Sequence, residues 1–448
     1  MTDNFLTTLR ASHLAGNAGG LLVVCSSHGA VLREAAALAK KKHKPLLVEA
    51  TANQVNQDGG YSGMTPAAFA DFVGAVIRTA GLSEDRVLIG ADHLGPAAWP
   101  ALPSGRAMEM ASDLVRHCVR AGFSKIHLDT GRPCSDDDDA VVAGDVAARR
   151  AAALCRVAEK AAAAAGRQPP TYVIGDEVPP PGGALQEGRR PRIRSIDSLA
   201  AAIHRHQAAF SGAGLGEAWR RVVGVVVQPG VEFGDRTVAG YCRKTAEELS
   251  AFHRRLPGSM TFEVHAADYQ CPASLARMVQ DHFLLLKIGP CLTFAYREAL
   301  YALADIEAAL PDVSIRSNLR QVMEALMIES PSHWRSHYRG SQDDLRFLRH
   351  FSLRDRIRYY WHLPAARAAV TRLFDNLSRP VPAALLHQYL PDLWEDLVQA
   401  PVPFEPERVV SRRIRRLLEP MLDAVGSGAE ATPRRRPAPP LTHGEQER

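Results

Sequence analysis

The chain has 448 residues, 46% hydrophobic and 23% charged, with a formal net charge of +5. This composition excludes a disordered protein and a membrane bundle, and it supplies apolar material for a large core. Seven cysteines without CxxC spacing exclude a disulfide framework and a structural zinc site, and read as free thiols. The start, Met1-Thr2-Asp3-Asn4, lacks the basic, apolar character of a signal peptide. No apolar run approaches the roughly 18 residues of a membrane span, so a cytoplasmic protein without membrane contact is expected.

Short runs rich in Val, Leu or Ile lie at 21–27, 45–51, 87–93, 125–129, 171–178, 222–228, 260–265 and 284–289, mostly separated by stretches of helical composition. A β-then-α order repeated eight times predicts an α/β protein, a (β/α)8 TIM barrel. Before the second run, Lys40-Lys41-Lys42-His43-Lys44 reads as a solvated helix terminus at the non-catalytic end. Thr65-Pro66 supplies an N-cap and a first-turn proline for a helix over 67–80, in which Phe69, Phe72, Val73 and Val76 recur at helical spacing. Residues 140–165 read as a long alanine-rich helix, and 292–304 as a helix after the eighth run.

A barrel over 1–310 leaves a helical C-terminal extension at 311–425 and a disordered, Pro- and Arg-rich tail at 426–448. Residues 331–380 hold ten arginines and four aspartates with no Lys or Glu, more than the excess charge of the whole chain. Trp334, Tyr338, Tyr359, Tyr360 and Trp361 are interleaved with them. Such a mixture suits phosphates or base stacking, but no nucleic-acid fold signature accompanies the arginines, so no nucleic acid is expected, and a solvated or subunit-facing surface is.

In such a barrel, chemistry sits where strands end and loops begin. Asp92 and His93 close the third run, His127 and Asp129 the fourth, Glu177 the fifth, Gln228 the sixth and His265 the seventh, with Lys287 and Gly289 in the eighth. A divalent metal with an open position wants about three protein ligands, and His93, Glu177 and His265 offer them from three strands. Taken singly, each is equally a hydrogen-bonded polar residue of the mouth. Glu177 is preferred over its neighbour Asp176, ahead of a Pro-Pro-Pro-Gly-Gly turn. His127 and Asp129 share one face of their strand, suited to substrate hydroxyls, to orienting a ligand, or to an internal ion pair. Asp136 to Asp139 read as a solvated loop. Asn53 and Gln54, in an amide- and glycine-dense loop, suit sugar hydroxyls or only turn the chain. Lys287 and Gly289 stand where barrels commonly hold phosphate, beside a helix N-terminus. Lys287 equally fits an interior ion pair with Glu263 or Asp268.

The motifs themselves carry a resemblance. Glu-Ala-Thr-Ala-Asn-Gln-Val at 49–55, Gly-Tyr-Ser-Gly-Met-Thr-Pro at 60–66, Gly-Ala-Asp-His-Leu-Gly-Pro at 90–96 and Lys-Ile-His-Leu-Asp at 125–129 lead the series. Glu-Val-Pro at 177–179, Val-Gln-Pro-Gly-Val-Glu-Phe at 227–233 and Lys-Ile-Gly-Pro at 287–290 continue it, followed by motifs at 294–300, 336–338, 355–361 and 388–391. In this order they resemble the accessory, or Z-type, D-tagatose-1,6-bisphosphate aldolase subunit family over about residues 5–420. The resemblance implies a class II, metal-dependent aldolase barrel acting on tagatose 6-phosphate or tagatose 1,6-bisphosphate in galactitol or N-acetylgalactosamine breakdown, beside a catalytic aldolase subunit and as a homo-oligomer. It implies a divalent metal, zinc or else manganese, with Asp92 as acid/base for the C4 hydroxyl and His93 and His265 as ligands. Catalytic relatives use three histidines, whereas this chain has Glu177 as its third candidate, also a catalytic one, and Gln228 on the sixth strand. Relatives also act as ketose 4-epimerases, and a non-catalytic stabilising partner is the third reading. A kinase label used within the family fits poorly, since no GxxxxGK[ST] loop is present.

Deleting residues 427–448 is expected to leave the melting temperature unchanged, and a large fall would contradict the tail assignment.

Overall fold

The computed structural model describes residues 5–17, 19–137, 142, 144–175, 182–183, 190–311, 313–398 and 404–426. Its strands are β1 (Leu21–Cys25), β2 (Leu46–Thr51), β3 (Val87–Leu94), β4 (Lys125–Asp129), β5 (Thr171–Gly175), β6 (Val222–Val227), β7 (Glu232–Phe233), β8 (Val238–Ala239), β9 (Thr261–Val264) and β10 (Phe283–Ile288). Eight close a parallel barrel in the order β1-β10-β9-β6-β5-β4-β3-β2, while β7 and β8 form a separate antiparallel pair. The barrel strands are the eight apolar runs of the sequence. Helices cover their outer face and side chains fill the inner one, so they read as unbroken apolar segments instead of alternating ones.

The helices around the barrel are α1 (Phe5–Leu14), α2 (Gly29–Lys41), α3 (Pro66–Ala80), α4 (Ser104–Ala121), α5 (Gly144–Ala164), α6 (Ile196–Gly212), α7 (Gly216–Arg220), α8 (Glu247–Ala251), α9 (Pro272–Gln280) and α10 (Pro290–Ala309). As the sequence predicts, Thr65 caps α3 by accepting from the Ala68 N–H at 3.3 Å, and Pro66 opens it. Asp136 accepts from the Ser104 N–H at 2.6 Å at the start of α4, and Asp137 pairs with Arg150 at 2.8 Å. Those two acids of the quartet are therefore engaged, while Asp138 and Asp139 lie outside the described residues. No helix among the described residues is long and apolar enough to cross a membrane.

The extension comprises α11 (Leu319–Glu329), α12 (Gln342–Phe351), α13 (Pro364–Leu377), α14 (Ala383–Tyr389), α15 (Trp394–Val398) and α16 (Pro406–Gly426). α16 reaches the start of β1, where the Gly20 N–H donates to Val425 O at 2.8 Å. Lys41 and Lys42 meet Glu419 at 2.9 and 3.0 Å, and Lys42 meets Asp423 at 2.8 Å. The lysine run expected to be merely solvated thus fastens the last helix.

The arginine- and aromatic-rich segment also departs from expectation, because it folds onto the barrel. Trp334, Tyr338, Tyr359, Tyr360 and Trp361 are all buried. Asp355, at φ 47°, accepts from Thr293 Oγ1 at 2.7 Å and Arg297 Nε at 3.1 Å, tying the extension to α10. Tyr269 OH donates to Leu353 O at 2.6 Å and Ser352 Oγ to Asp235 at 2.7 Å, tying it to the loops beyond β9 and β7. These polar partners let the arginine-rich chain run inside.

Two glycines make room at the barrel's centre. A Cβ on Gly90 of β3 would stand 2.9 Å from Glu49 Oε1, and one on Gly95 would collide with the Asp129 carbonyl oxygen. Gly95→Ala is expected to destabilise by about 1–3 kcal/mol or more in denaturant titration. Gly105→Ala, in α4 where a Cβ meets open space, should be neutral or stabilising by about 0.5–1 kcal/mol. Equal effects would contradict the close approach of β3 and β4.

Candidate active site in the barrel mouth

Strand alternation sends Glu49 from β2, Lys125 from β4, Glu263 from β9 and Lys287 from β10 into the barrel, all of them buried. Lys125 Nζ bonds Glu49 and lies 2.7 Å from Glu263 Oε2. Lys287 Nζ lies 2.8 Å from Glu49 Oε2 and 3.3 Å from Glu263 Oε1, and it also bonds Asp92. Three carboxylates thus share two ammonium groups, leaving one negative charge in excess before Asp129 at the rim is counted.

Three histidines stand above this layer. β3 departs from regular pairing between Ala91 and Leu94, and His93 takes φ 54°. Neighbouring strand residues normally point to opposite sides, so this irregularity lets both Asp92 and His93 serve the mouth. The ring centroids of His93, His127 and His265 are 5.2, 5.1 and 5.2 Å apart. One nitrogen of each ring is held by a carboxylate. His93 Nδ1 bonds Asp129 Oδ2 at 2.7 Å, His127 Nδ1 bonds Asp92 Oδ1 at 2.7 Å, and His265 Nε2 bonds Glu263 Oε1 at 2.9 Å. Carboxylates accept, so each of these nitrogens donates, and on a neutral ring the other nitrogen keeps a lone pair. That of His127, Nε2, is buried without a hydrogen-bond partner among the described residues.

This donor set fits a metal ion. Imidazoles sharing one tetrahedral ion at about 2.1 Å stand about 5 Å apart, centroid to centroid. Carboxylates behind histidine ligands are the usual way of fixing ring orientation. Ligand atoms of Asp92, His127, Glu263 and His265 lie within 4.8 Å of one another, a group without His93, which joins the cluster through its ring spacing to His127 and His265. Asp92 and Glu263 are engaged by Lys287, so the uncommitted donors are those of the rings.

The electrostatics agree with the geometry. Burial opposes ionisation of Asp92, but His93, Lys287 and His127 outweigh it and hold the carboxyl well below the usual range. Burial likewise opposes the charge on Glu263, and Lys125, Lys287 and His265 overcome it. Lys287 is held well above the ordinary lysine value, because Asp92, Glu263 and Glu49 more than offset its burial. Burial, with Lys287 beside it, pushes His265 down to about 3, keeping the ring neutral.

The mouth cavity brings together Gln54, Asp92, His93, His265, Lys287 and Gly289 from the predicted set. Gln54 is buried, its Oε1 accepting from the Thr51 N–H at 2.8 Å. Asn53 is exposed and borders a neighbouring cavity with His93 and Asp129. Gln228 accepts from the Gly230 N–H at 2.8 Å and borders neither cavity. Lys287 takes the ion-pair alternative, and the Gly289 N–H donates to Asp268 at 2.9 Å. Glu177 and Asp176 lie outside the described residues.

Sequence reasoning missed Glu49 and Lys125 and took Glu263 only as an ion-pair partner of Lys287, although Glu263–His265 and Lys125–His127–Asp129 at spacing two mark an inward face. Tyr61, Arg358 and Tyr359 also line the mouth; all three fall within the quoted motifs, but none was singled out as a site residue.

Fold and site together define the class: a parallel (β/α)8 barrel with a carboxylate-backed histidine cluster in its mouth. The D-tagatose-1,6-bisphosphate aldolase subunit GatZ/KbaZ-like family profile matches residues 6–426, and the chain belongs to that family. The crystal structure of a probable tagatose 6 phosphate kinase from Sinorhizobium meliloti 1021 is 39% identical, with a TM-score of 0.81 over 90% of this chain and 100% of that one. More remote likenesses are the YdjI aldolase from Escherichia coli K12 (9% identity, TM-score 0.45, covering 96% of this chain and 99% of that one) and a fructose-bisphosphate aldolase from Campylobacter jejuni (10%, 0.47, 95% and 94%).

The site also sets an acid limit. His265 titrates at about 3 folded and near 6.5 unfolded, and the Asp92 and Glu263 carboxyls are likewise lower folded than unfolded. Across that window the unfolded chain binds more protons, so stability rises with pH. The melting temperature is expected to fall between pH 7 and pH 5, with a smaller fall in His265→Asn, and more steeply below about pH 4.3 as the carboxylates protonate. A flat profile from pH 7 to pH 5 would contradict a neutral, buried His265.

Proposed function

We propose that the chain is a metal-dependent carbon–carbon lyase of the class II aldolase type, acting on a phosphorylated ketose as a tagatose 1,6-bisphosphate aldolase subunit in galactitol or N-acetylgalactosamine breakdown. The observation that carries this reading is the triangle of His93, His127 and His265, each ring anchored by a carboxylate and keeping one lone pair. These three would hold a divalent ion, zinc or else manganese. Bound there, the ion supplies Lewis-acid polarisation of the ketose carbonyl. His127, expected as a substrate residue, thus joins His93 and His265 as a proposed ligand.

Asp92, ionised and next to the cluster, is suited to take the proton of the C4 hydroxyl as the C3–C4 bond breaks. The electron pair of that bond moves onto the carbonyl side as the enediolate, while Lys287, bonded to Asp92, helps to hold that carboxyl ionised. A Schiff base would need Lys287 as a neutral amine, and its three carboxylates hold it protonated. That favours the metal route over an amine route. Glu177, two residues beyond β5 in the sequence, keeps its proposed part as a ligand or a second acid–base group.

A 4-epimerase is the second reading, and one observation favours it. Tyr61, Arg358 and Tyr359 border the mouth cavity, a cover suited to retaining the three-carbon fragments through rotation and recondensation. A catalytic partner subunit, and a purely stabilising role beside it, enter from the family alone.

Purified chain is incubated alone with tagatose 6-phosphate and with tagatose 1,6-bisphosphate, with zinc or manganese and after chelation. Triose products support the lyase, a 4-epimeric ketose phosphate supports the epimerase, and no turnover with no metal bound sinks both. Asp92→Asn should lower turnover by about 10²–10⁴-fold and, because Asp92 also orients His127, weaken metal binding by about tenfold or more. His127→Ala should weaken metal binding by about 100-fold or more. Glu177→Gln separates its two parts: weaker metal binding marks a ligand, lost turnover alone an acid–base group.

A further inference from the structure

The groups expected to receive a substrate phosphate are already engaged. Asp268 Oδ1 accepts from the N–H groups of Gly289 and Cys291 at 2.9 and 2.8 Å, so the start of α10 holds the chain's own carboxylate. Lys287 is surrounded by Glu49, Asp92 and Glu263. A phosphorylated ketose must find its cationic partners elsewhere in the mouth.

Two arginines from the turn after α12 are placed to be those partners. Among the described residues, neither Arg356 nor Arg358 has a carboxylate within ion-pair distance. Arg358 borders the mouth cavity beside His265 and Asp268. It donates to Asp355 O at 3.0 Å and Tyr359 OH at 3.2 Å. Its Nη2 lies against Gly182, where a Cβ would come within 2.8 Å.

Arg356 is only 5% exposed, donates from Nη1 to His333 O at 2.5 Å, and has a buried Nε without a partner among the described residues. It borders a second cavity of about 440 Å³, together with Asn53, Asp129, Arg132, His333 and Ala98. The two cavities meet at the Tyr61–Tyr359 contact, whose ring centroids are 4.2 Å apart, and His93 borders both. Burial and the charge of Arg356 hold His333 below its ordinary value, a sign of the positive field there. A buried guanidinium without a counter-ion is unfavourable, and a phosphate matches its planar fork of donors.

We propose that the C-terminal extension, not the loop after β10, carries phosphate recognition: Arg356 binds a phosphate monoester in the second cavity, and Arg358 binds an anionic group in the mouth. This rests on the reading of the site as one for a phosphorylated ketose, and it assigns to named residues the charged ends of that ligand on either side of His93. A ligand with phosphates at both ends engages both arginines, whereas a monophosphate engages one.

The test is calorimetric titration of the full-length chain with inorganic phosphate and with tagatose 1,6-bisphosphate at fixed low ionic strength. Arg356→Gln is expected to weaken phosphate binding by about tenfold or more, and Arg356→Lys to restore part of it. Because Arg356 is buried and Arg356→Gln can fail to fold, Ala98→Glu provides a second route, setting a carboxylate in the same cavity without touching the arginine. It too should weaken phosphate binding. Phosphate affinity equal to that of the unaltered chain in every variant that folds would overturn the proposal. Zinc titration of the same samples reads the histidine cluster separately. Absent zinc binding alongside arginine-dependent phosphate binding would sink the lyase reading and leave this subsite standing.

Discussion

The mouth depends on a charge arrangement at the centre of the barrel: Lys125 and Lys287 shared among Glu49, Asp92 and Glu263, all buried. Such a cluster contributes little to stability on balance, because desolvation offsets most of the attraction. Its value is positional. Lys287 fixes Asp92 and Glu263, and these orient His127 and His265 in turn. Removing one member would leave an uncompensated charge and release a ring. The excess negative charge also makes the layer receptive to a cation, so the network that positions the histidines supplies the field a metal ion would enter.

A second constraint comes from outside the barrel. The extension enters the mouth through Asp355, which accepts from Thr293 and Arg297 of α10. That contact places Arg358 and Tyr359 opposite the histidines and Tyr61. Chain remote in sequence thereby becomes one wall of the site. A barrel whose own phosphate position is closed by Asp268 can take a charged ligand only if that wall supplies positive charge.

Much of this was legible in the sequence. Parallel strands covered on both faces read as continuous apolar runs, so all eight were visible, as was the Thr65-Pro66 start of α3. Asp92, His93 and His265 stood out as chemistry at strand ends. The place of His127 in the histidine cluster did not, because spacing alone shows only that it shares an inward face with Asp129. The turn at His93, with φ 54°, is a tertiary outcome of packing against β4. Lys287 fitted two positions equally well until Glu49 and Glu263 were seen beside it. The arginine-rich segment was misread as surface because composition does not reveal that its charges meet carbonyls and buried acids. Glu177, a candidate from its motif, lies outside the described residues.

The central claim is that three carboxylate-backed histidines form one metal site, and X-ray absorption at the zinc edge of the zinc-loaded chain tests it most directly. The account predicts one zinc per chain, with scattering from three imidazoles and nitrogen at about 2.0–2.1 Å. A shell of oxygens without imidazole scattering, or a chain that binds no zinc, would contradict it.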